Sequence, residues 1–287
     1  MMKRIIIWGL GLFTLLLVAC DKLTDPVIVL NNQYLEGVYG PAPDFDVQAN
    51  PLKNVLIEEF TGHLCGFCPP ATAMVKNLDE QLGSRLVPIS VHAGTLANVG
   101  NAPYETDYNT QAGDIYWGQL NGGFNPSARI DRIGGTSNFY VDNQWADKIN
   151  EQLLVPVDVA MQMTTEFVES DNNLNIHVHS QFVNALSGNY QLVVLLLESH
   201  LISAQTDYNQ DPSTIYDYEH NYVLRTNVTN ALGEPLITNP RNNDQLVKSY
   251  TLPMNSIWVP ENCTVVAFII DKASGEVLNA VESHVGE

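Results

Sequence analysis

Basic residues are scarce in this chain of 287 residues: 13 Lys and Arg stand against 32 Asp and Glu, a formal net charge of −19. Gripping a phosphate backbone takes clustered cations, so nucleic acid is excluded as a partner. Charge of either sign is thin, at 16% of residues where roughly 25% is usual. Glycine and proline, 19 and 15 residues, sit at background level. That excludes a collagen-like repeat and a largely disordered chain. No internal repeat is visible, and the G-x-S-x-G, P-loop and H-E-x-x-H patterns are absent. Cysteines number only 4, at positions 20, 65, 68 and 263.

Of what is there, the N-terminus speaks first. Lys3 and Arg4 precede an apolar stretch, Ile5 to Ala19, of signal-peptide length. It is shorter than the about 20 residues that a membrane-spanning helix takes. The stretch ends in Leu17-Val18-Ala19-Cys20, which resembles the lipobox of bacterial lipoproteins. On that resemblance 1–19 is a signal peptide and Cys20 carries the lipid, with acyl chains such as palmitate, that holds the protein to a membrane of the cell envelope. Residues 20–50, with scattered Pro, Gly and Asn and no periodicity, read as a lipidated tether.

From 51 the pattern sharpens. Leu52 to Phe60 reads as a strand, Cys68 to Leu82 as a helix with Ala71, Met74, Val75, Leu78 and Leu82 on one face, and Leu86 to His92 as a buried strand. Gly83 stands where a helix C-cap is wanted. Short connections make this a right-handed βαβ unit with parallel strands. A helix near Thr106 to Leu120, strands at 127–132 and 139–141, and a helix at 145–154 complete a predicted α/β domain over 51–155. Over 156–287 the predicted strands are 157–168, 174–183, 190–198, 246–252, 263–271 and 276–283, as in an all-β, immunoglobulin-like sandwich. The stretch 203–245 reads as a long loop with one strand near 221–226.

The chemistry centres on Cys65-Gly66-Phe67-Cys68, a C-x-x-C between a strand and a helix, which is the redox arrangement of the thioredoxin fold. A sulfur at a helix N-terminus is favoured as thiolate by the backbone N–H groups and the helix dipole. Pro69 and Pro70 fall in the first turn, where a missing N–H costs nothing. Zinc would want a second ligand pair, a c-type haem a histidine where Pro69 stands, and neither is present; no metal and no cofactor is predicted. A permanent structural disulfide between Cys65 and Cys68 remains the alternative. His63 reads first as a solvated loop residue and second as a stabiliser of the thiolate, His92 first as a hydrogen-bonded core histidine and second as one that faces the site, and Cys263 as a buried inert thiol. Glu58 and Glu59, adjacent on one strand, point to opposite faces and make no carboxylate pair.

Two more features resemble thioredoxin-like sequences. Glu59 stands six residues before Cys65, where those sequences bury an acid, and Asn125-Pro126 precedes a strand where they place a cis-proline. The resemblance implies Cys65 as nucleophile, Cys68 as resolving thiol and Glu59 as proton acceptor, with Phe67, Asn125 and Pro126 facing substrate. Lipobox, NVLIEEFTGHLCGFCPPA, GGFNPSARIDR, YEHNYVLR and VVAFIIDKASGEVLNAVE together resemble the outer-membrane-protein-28-related lipoproteins of Bacteroidetes-type bacteria. That implies an outer-membrane lipoprotein with a thioredoxin-like domain followed by a β-sandwich. Two functions follow from these readings. In one, an accessible Cys65 exchanges disulfides with cysteine-containing envelope proteins. In the other, a lipoprotein binds an extracellular ligand and its C-x-x-C is a buried staple. The loop at 94–110 reads as a lid or substrate platform.

Overall fold

The fold is that of a computed structural model describing residues 32–286. The signal stretch with Lys3 and Arg4, Cys20 and the first part of the tether lie outside the described residues. One helical turn, α1 (Glu36–Tyr39), precedes β1 (Val55–Thr61), α2 (Cys68–Leu82), β2 (Leu86–His92), α3 (Gln111–Gln119), β3 (Ser127–Ile130) and α4 (Trp145–Leu153). α2 takes the predicted bounds and ends at Gly83, whose φ of 53° is open to a residue without Cβ. α3 starts later than expected because Thr110 caps it, its hydroxyl accepting from Gly113 N at 3.0 Å. β1 and β2 pair in parallel and β3 joins β1 antiparallel. The expected strand at 139–141 shrinks to one bridge, Ala128 to Tyr140.

The second half is predominantly β: β4 (Val159–Val168), β5 (Asn173–Phe182), β6 (Asn189–Glu198), β7 (Leu201–Thr206), β8 (Thr214–His220), β9 (Val223–Asn227), β10 (Glu234–Thr238), β11 (Gln245–Pro253), β12 (Cys263–Asp271) and β13 (Val277–His284). β7, β8 and β10 form inside the stretch expected to be loop. The expected sandwich shares one of its two sheets with the α/β half. The main sheet runs β13-β12-β6-β9-β2-β1-β3, with β10 on β6, while β11-β5-β4 forms a second sheet. The seam is the short parallel pairing of β2 with β9 at Ser90 and Val223.

Period-two alternation assigns each face of the main sheet. Val55 and Ile57 turn towards α2 and α4, packing on Ala71, Val75, Trp145 and Ile149. Further along the same side, Leu192, Val194, Val265 and Ala267 meet Val159, Ile176 and Val178 of the second sheet. The opposite face joins Leu56, Phe60, Ile89, Val193, Leu195 and Phe268 into one core with Ala112 and Tyr116 of α3. Glu58 sits in that apolar face, fully buried, and receives Arg129 Nη2 at 2.7 Å together with Arg132 Nε and Nη2 at 2.9 and 2.7 Å. Burial pushes its carboxyl up, but Arg129 and Arg132 outweigh that and hold it at about 2. The guanidinium of Arg132 lies over the rings of Tyr116 and Phe268, 4.9 and 5.0 Å from their centroids. This cluster joins residues from both halves of the chain.

Candidate functional site

β1 and β2 end together, and the chain leaving β1 forms the loop Gly62 to Phe67 before α2 begins at Cys68. Cys65 and Cys68 are disulfide-bonded, with S–S 2.07 Å and Cα–Cα 5.4 Å. Both are buried, at 2% and 1% exposure, whereas Phe67 between them is 66% exposed. The Asn125–Pro126 peptide is cis. Asn125 donates its Nδ2 to Thr61 O and Ala93 O, both at 3.0 Å, and so ties the segment before β3 to the ends of β1 and β2.

Glu59 faces α2. Thr72, one turn after Cys68 on the same side of the helix, donates its hydroxyl to Glu59 Oε1 at 2.6 Å. Burial raises the Glu59 carboxyl to about 7, with the Thr72 bond opposing part of the rise. Glu58 and Glu59 thus lie on opposite faces, one locked as an anion and the other poised near neutrality.

An accessible Cys65 is not what the structure presents, and the reason lies in the second half of the chain. Between β6 and β9, which pair with each other, the hairpin β7–β8 leaves the main sheet and folds over the C-x-x-C loop. Thr206 N donates to His63 O and Tyr208 N to Gly66 O, both at 2.9 Å. Gln205 Nε2 donates to Cys65 O at 3.0 Å. The Tyr208 ring covers Gly66 so closely that a Cβ there would fall 2.5 Å from it, and Phe67 meets it edge-on at 5.1 Å. The loop 94–110 closes the other side: Leu96 O accepts from Leu64 N, and Tyr104 Oη reaches Thr206 Oγ1 at 2.8 Å.

The hairpin's cover has a measurable consequence. Tyr208→Ala removes one aromatic contact worth about 0.5–1.5 kcal/mol, so a phosphine should reduce the disulfide roughly 2- to 10-fold faster than in the parent chain. Stopped-flow thiol release checks this; an unchanged rate would mean that the hairpin does not control access.

Beneath the hairpin lies a small cavity of about 10 Å³, room for about one water. Cys68, Thr72 and His92 line it from the α/β half; Gln205, Tyr218 and His220 line it from the hairpin. His220 Nε2 lies 3.0 Å from Ser203 Oγ, which also accepts from Tyr108 Oη at 3.0 Å. Burial pushes the His220 imidazole down to about 4. His92 differs from its expected reading: it is in the core, yet neither ring nitrogen has a hydrogen-bond partner among the described residues. Each such orphan costs roughly 1–3 kcal/mol. Burial pushes its imidazole well below the ordinary value, and His220, His63 and Arg225 add to the fall. His63 is no solvated loop residue either; it is 1% exposed and its Nε2 lies 2.9 Å from Asn98 O. Cys263 is buried as expected, with its thiol pushed up to about 12, chiefly by burial.

Thr72, Gln205, Tyr208, Tyr218 and His220 are the site neighbours that sequence reasoning missed. One signal was present. Tyr218 and His220 alternate in YEHNYVLR, the spacing of a strand with a polar aromatic face. Among the described residues no group of three or more His, Cys, Asp or Glu is placed to hold a metal ion, and no helix is long and apolar enough to cross a membrane.

Fold and site together define a class: a mixed α/β half bearing a buried C-x-x-C, built into one sheet with a predominantly β half. The model of the outer membrane protein Omp28 family matches residues 113–287, and the chain belongs to that family of outer-membrane lipoproteins of the cell envelope. The matched region takes in Asn125, Pro126 and the β7–β8 hairpin and begins after the C-x-x-C. Among solved structures, HBP35 of Porphyromonas gingivalis aligns with 84% of this chain and 77% of its own at 14% identity, with a TM-score of 0.61. A protein of Agrobacterium tumefaciens aligns with 83% of this chain and 97% of its own, at 14% identity and a TM-score of 0.52. A domain of the outer membrane lipoprotein Omp28 from Porphyromonas gingivalis is 22% identical over 46% of this chain and 91% of its own, with a TM-score of 0.31. No curated protein matches.

Proposed function

We propose that the protein is a lipid-anchored thiol–disulfide exchange protein of the outer membrane, working on cysteine-containing envelope proteins through a thioredoxin-like unit. The observation that carries this reading is the placement of Cys65 and Cys68 at the start of α2 with the Glu59 carboxyl behind them. Cys68 is the first residue of the helix and Cys65 lies just outside it, where the helix N-terminus favours a thiolate. In the reduced protein the Cys65 thiolate attacks one sulfur of a substrate disulfide. A Cys65–substrate bond forms, and the substrate's other sulfur leaves with the electron pair. Cys68 then attacks Cys65; the protein disulfide forms and the substrate leaves as a thiolate. Glu59, with a pKa near the working pH, is suited to proton exchange at that second step. Phe67, exposed between the two cysteines, serves with Asn125 and Pro126 as the substrate-facing surface, and Cys20 supplies the lipid anchor.

Burial of both sulfurs favours a second reading, in which the pair is a permanent staple and the protein binds a ligand outside the cell. Trapping separates the two. In cells producing the Cys68→Ser variant, disulfide-linked adducts should accumulate on Cys65 and vanish in Cys65→Ser. Absence of adducts from both favours the staple.

A further inference from the structure

We propose that the imidazole of His92 is a second proton acceptor for Cys68, beside Glu59. The inference rests on thiol–disulfide exchange at this site and concerns how its second sulfur is activated.

Cys68 is 1% exposed, and as a thiol it cannot attack. A group beside it inside the fold is placed to take that proton. Cys68 and His92 line the same water-sized cavity, and His92, 3% exposed, holds two ring nitrogens with no partner among the described residues. A phenyl ring would pack as well without stranding two polar atoms, so the position is explained by use of the nitrogens. The rival bases are less free. His220 is engaged with Ser203 Oγ. Glu59 stands behind Thr72, already accepts its hydroxyl, and is largely protonated below neutral pH.

In the mixed disulfide, the proton on Cys68 Sγ moves to a ring nitrogen of His92, directly or across one water in the cavity. The freed sulfur pair bonds to Cys65 Sγ, the Cys65–substrate bond breaks, and the departing substrate sulfur keeps that electron pair. A dithiol donor reduces the pair before the next round. While the disulfide is closed, burial, His220, His63 and Arg225 all oppose a charge on His92; Tyr108 packs on its ring and Tyr218 lines the cavity, both with phenols pushed above the ordinary value by burial. A thiolate on Cys68 supplies a counter-charge that reverses this balance.

The test is histidine-selective NMR titration of the intact chain in detergent, before and after reduction by a phosphine. The His92 resonance, assigned through its contact with Tyr108, should gain at least about tenfold in proton affinity on reduction. Reduced Cys68→Ser should show no gain. A ring that stays neutral down to about pH 5 in both redox forms, or one that gains equally in Cys68→Ser, overturns the proposal. His92→Gln should also slow resolution of a glutathione mixed disulfide on Cys65 by roughly 10- to 100-fold, whereas an unchanged rate contradicts it. The titration needs no exchange partner, so it reads His92 even if the chain exchanges with nothing in the envelope.

Discussion

Replacing Glu58 by alanine is expected to cost about 3–5 kcal/mol of stability, enough to leave little folded protein at 37 °C if the starting margin is ordinary. The cost arises in what is left behind. Arg129 and Arg132 are both fully buried and both pair with this one carboxylate, Arg132 through Nε and Nη2 and Arg129 through Nη2. Without it two cations remain in an apolar layer beside Phe60, Tyr116 and Phe268. Glu58→Gln keeps the shape and loses the charge, so it should fall between parent and alanine. The carboxyl is held at about 2 against an ordinary 4.5. Its contribution is therefore present above pH 4.5 and lost as the pH falls towards 2. Urea unfolding of the three proteins at pH 7 and pH 3 checks both points. An alanine variant within about 1 kcal/mol of the parent at pH 7 would show that the cluster is incidental.

Glu59→Gln should move two quantities in opposite directions. The folded-state pKa is raised from 4.5 to about 7, so the stability this group allows is complete below pH 4.5 and lost as the pH rises through 7. At pH 8 the glutamine variant should be more stable by roughly 3 kcal/mol, and near pH 4 the difference should vanish. Thiol–disulfide exchange in that variant should slow by about 100-fold, the usual contribution of a positioned proton donor or acceptor. Denaturant midpoints across pH, beside the rate of glutathione exchange, give both numbers. A gain in stability with unchanged exchange would reduce Glu59 to a buried acid with no part in the chemistry.

Most of the α/β half was legible because its signals are local. β1 and β2 are apolar runs, α2 carries its stripe at helical spacing, and Pro69, Pro70 and Gly83 mark its two ends. The C-x-x-C and Glu59 lie within one short stretch of pattern, and Pro126 marks the start of β3. The hairpin was not legible, and the reason is physical. LISAQT and TIYDYEH do not read as apolar strands because their inner face meets a polar chamber. β10 carries Pro235 and pairs only with β6 among the described strands, the setting in which a proline is tolerated in a sheet. The seam between β2 and β9 joins residues more than a hundred positions apart, and nothing in either strand's pattern names its neighbour. For the same reason Glu58 was seen to face away from Glu59, but not to face Arg129 and Arg132. His92 and His63 were misjudged together: both depend on what covers the ends of β1 and β2, which the distant segment 201–220 and the loop at 94–110 supply.

The reduction potential of the Cys65–Cys68 pair tests the proposed exchange most directly. It is measured on the full chain in detergent by equilibration with glutathione, with Cys65→Ser as control. A value at or above about −230 mV, in the range of working oxidoreductases, is the expected result. A value below about −300 mV, typical of structural disulfides, would contradict exchange and leave the pair as a staple beneath the hairpin.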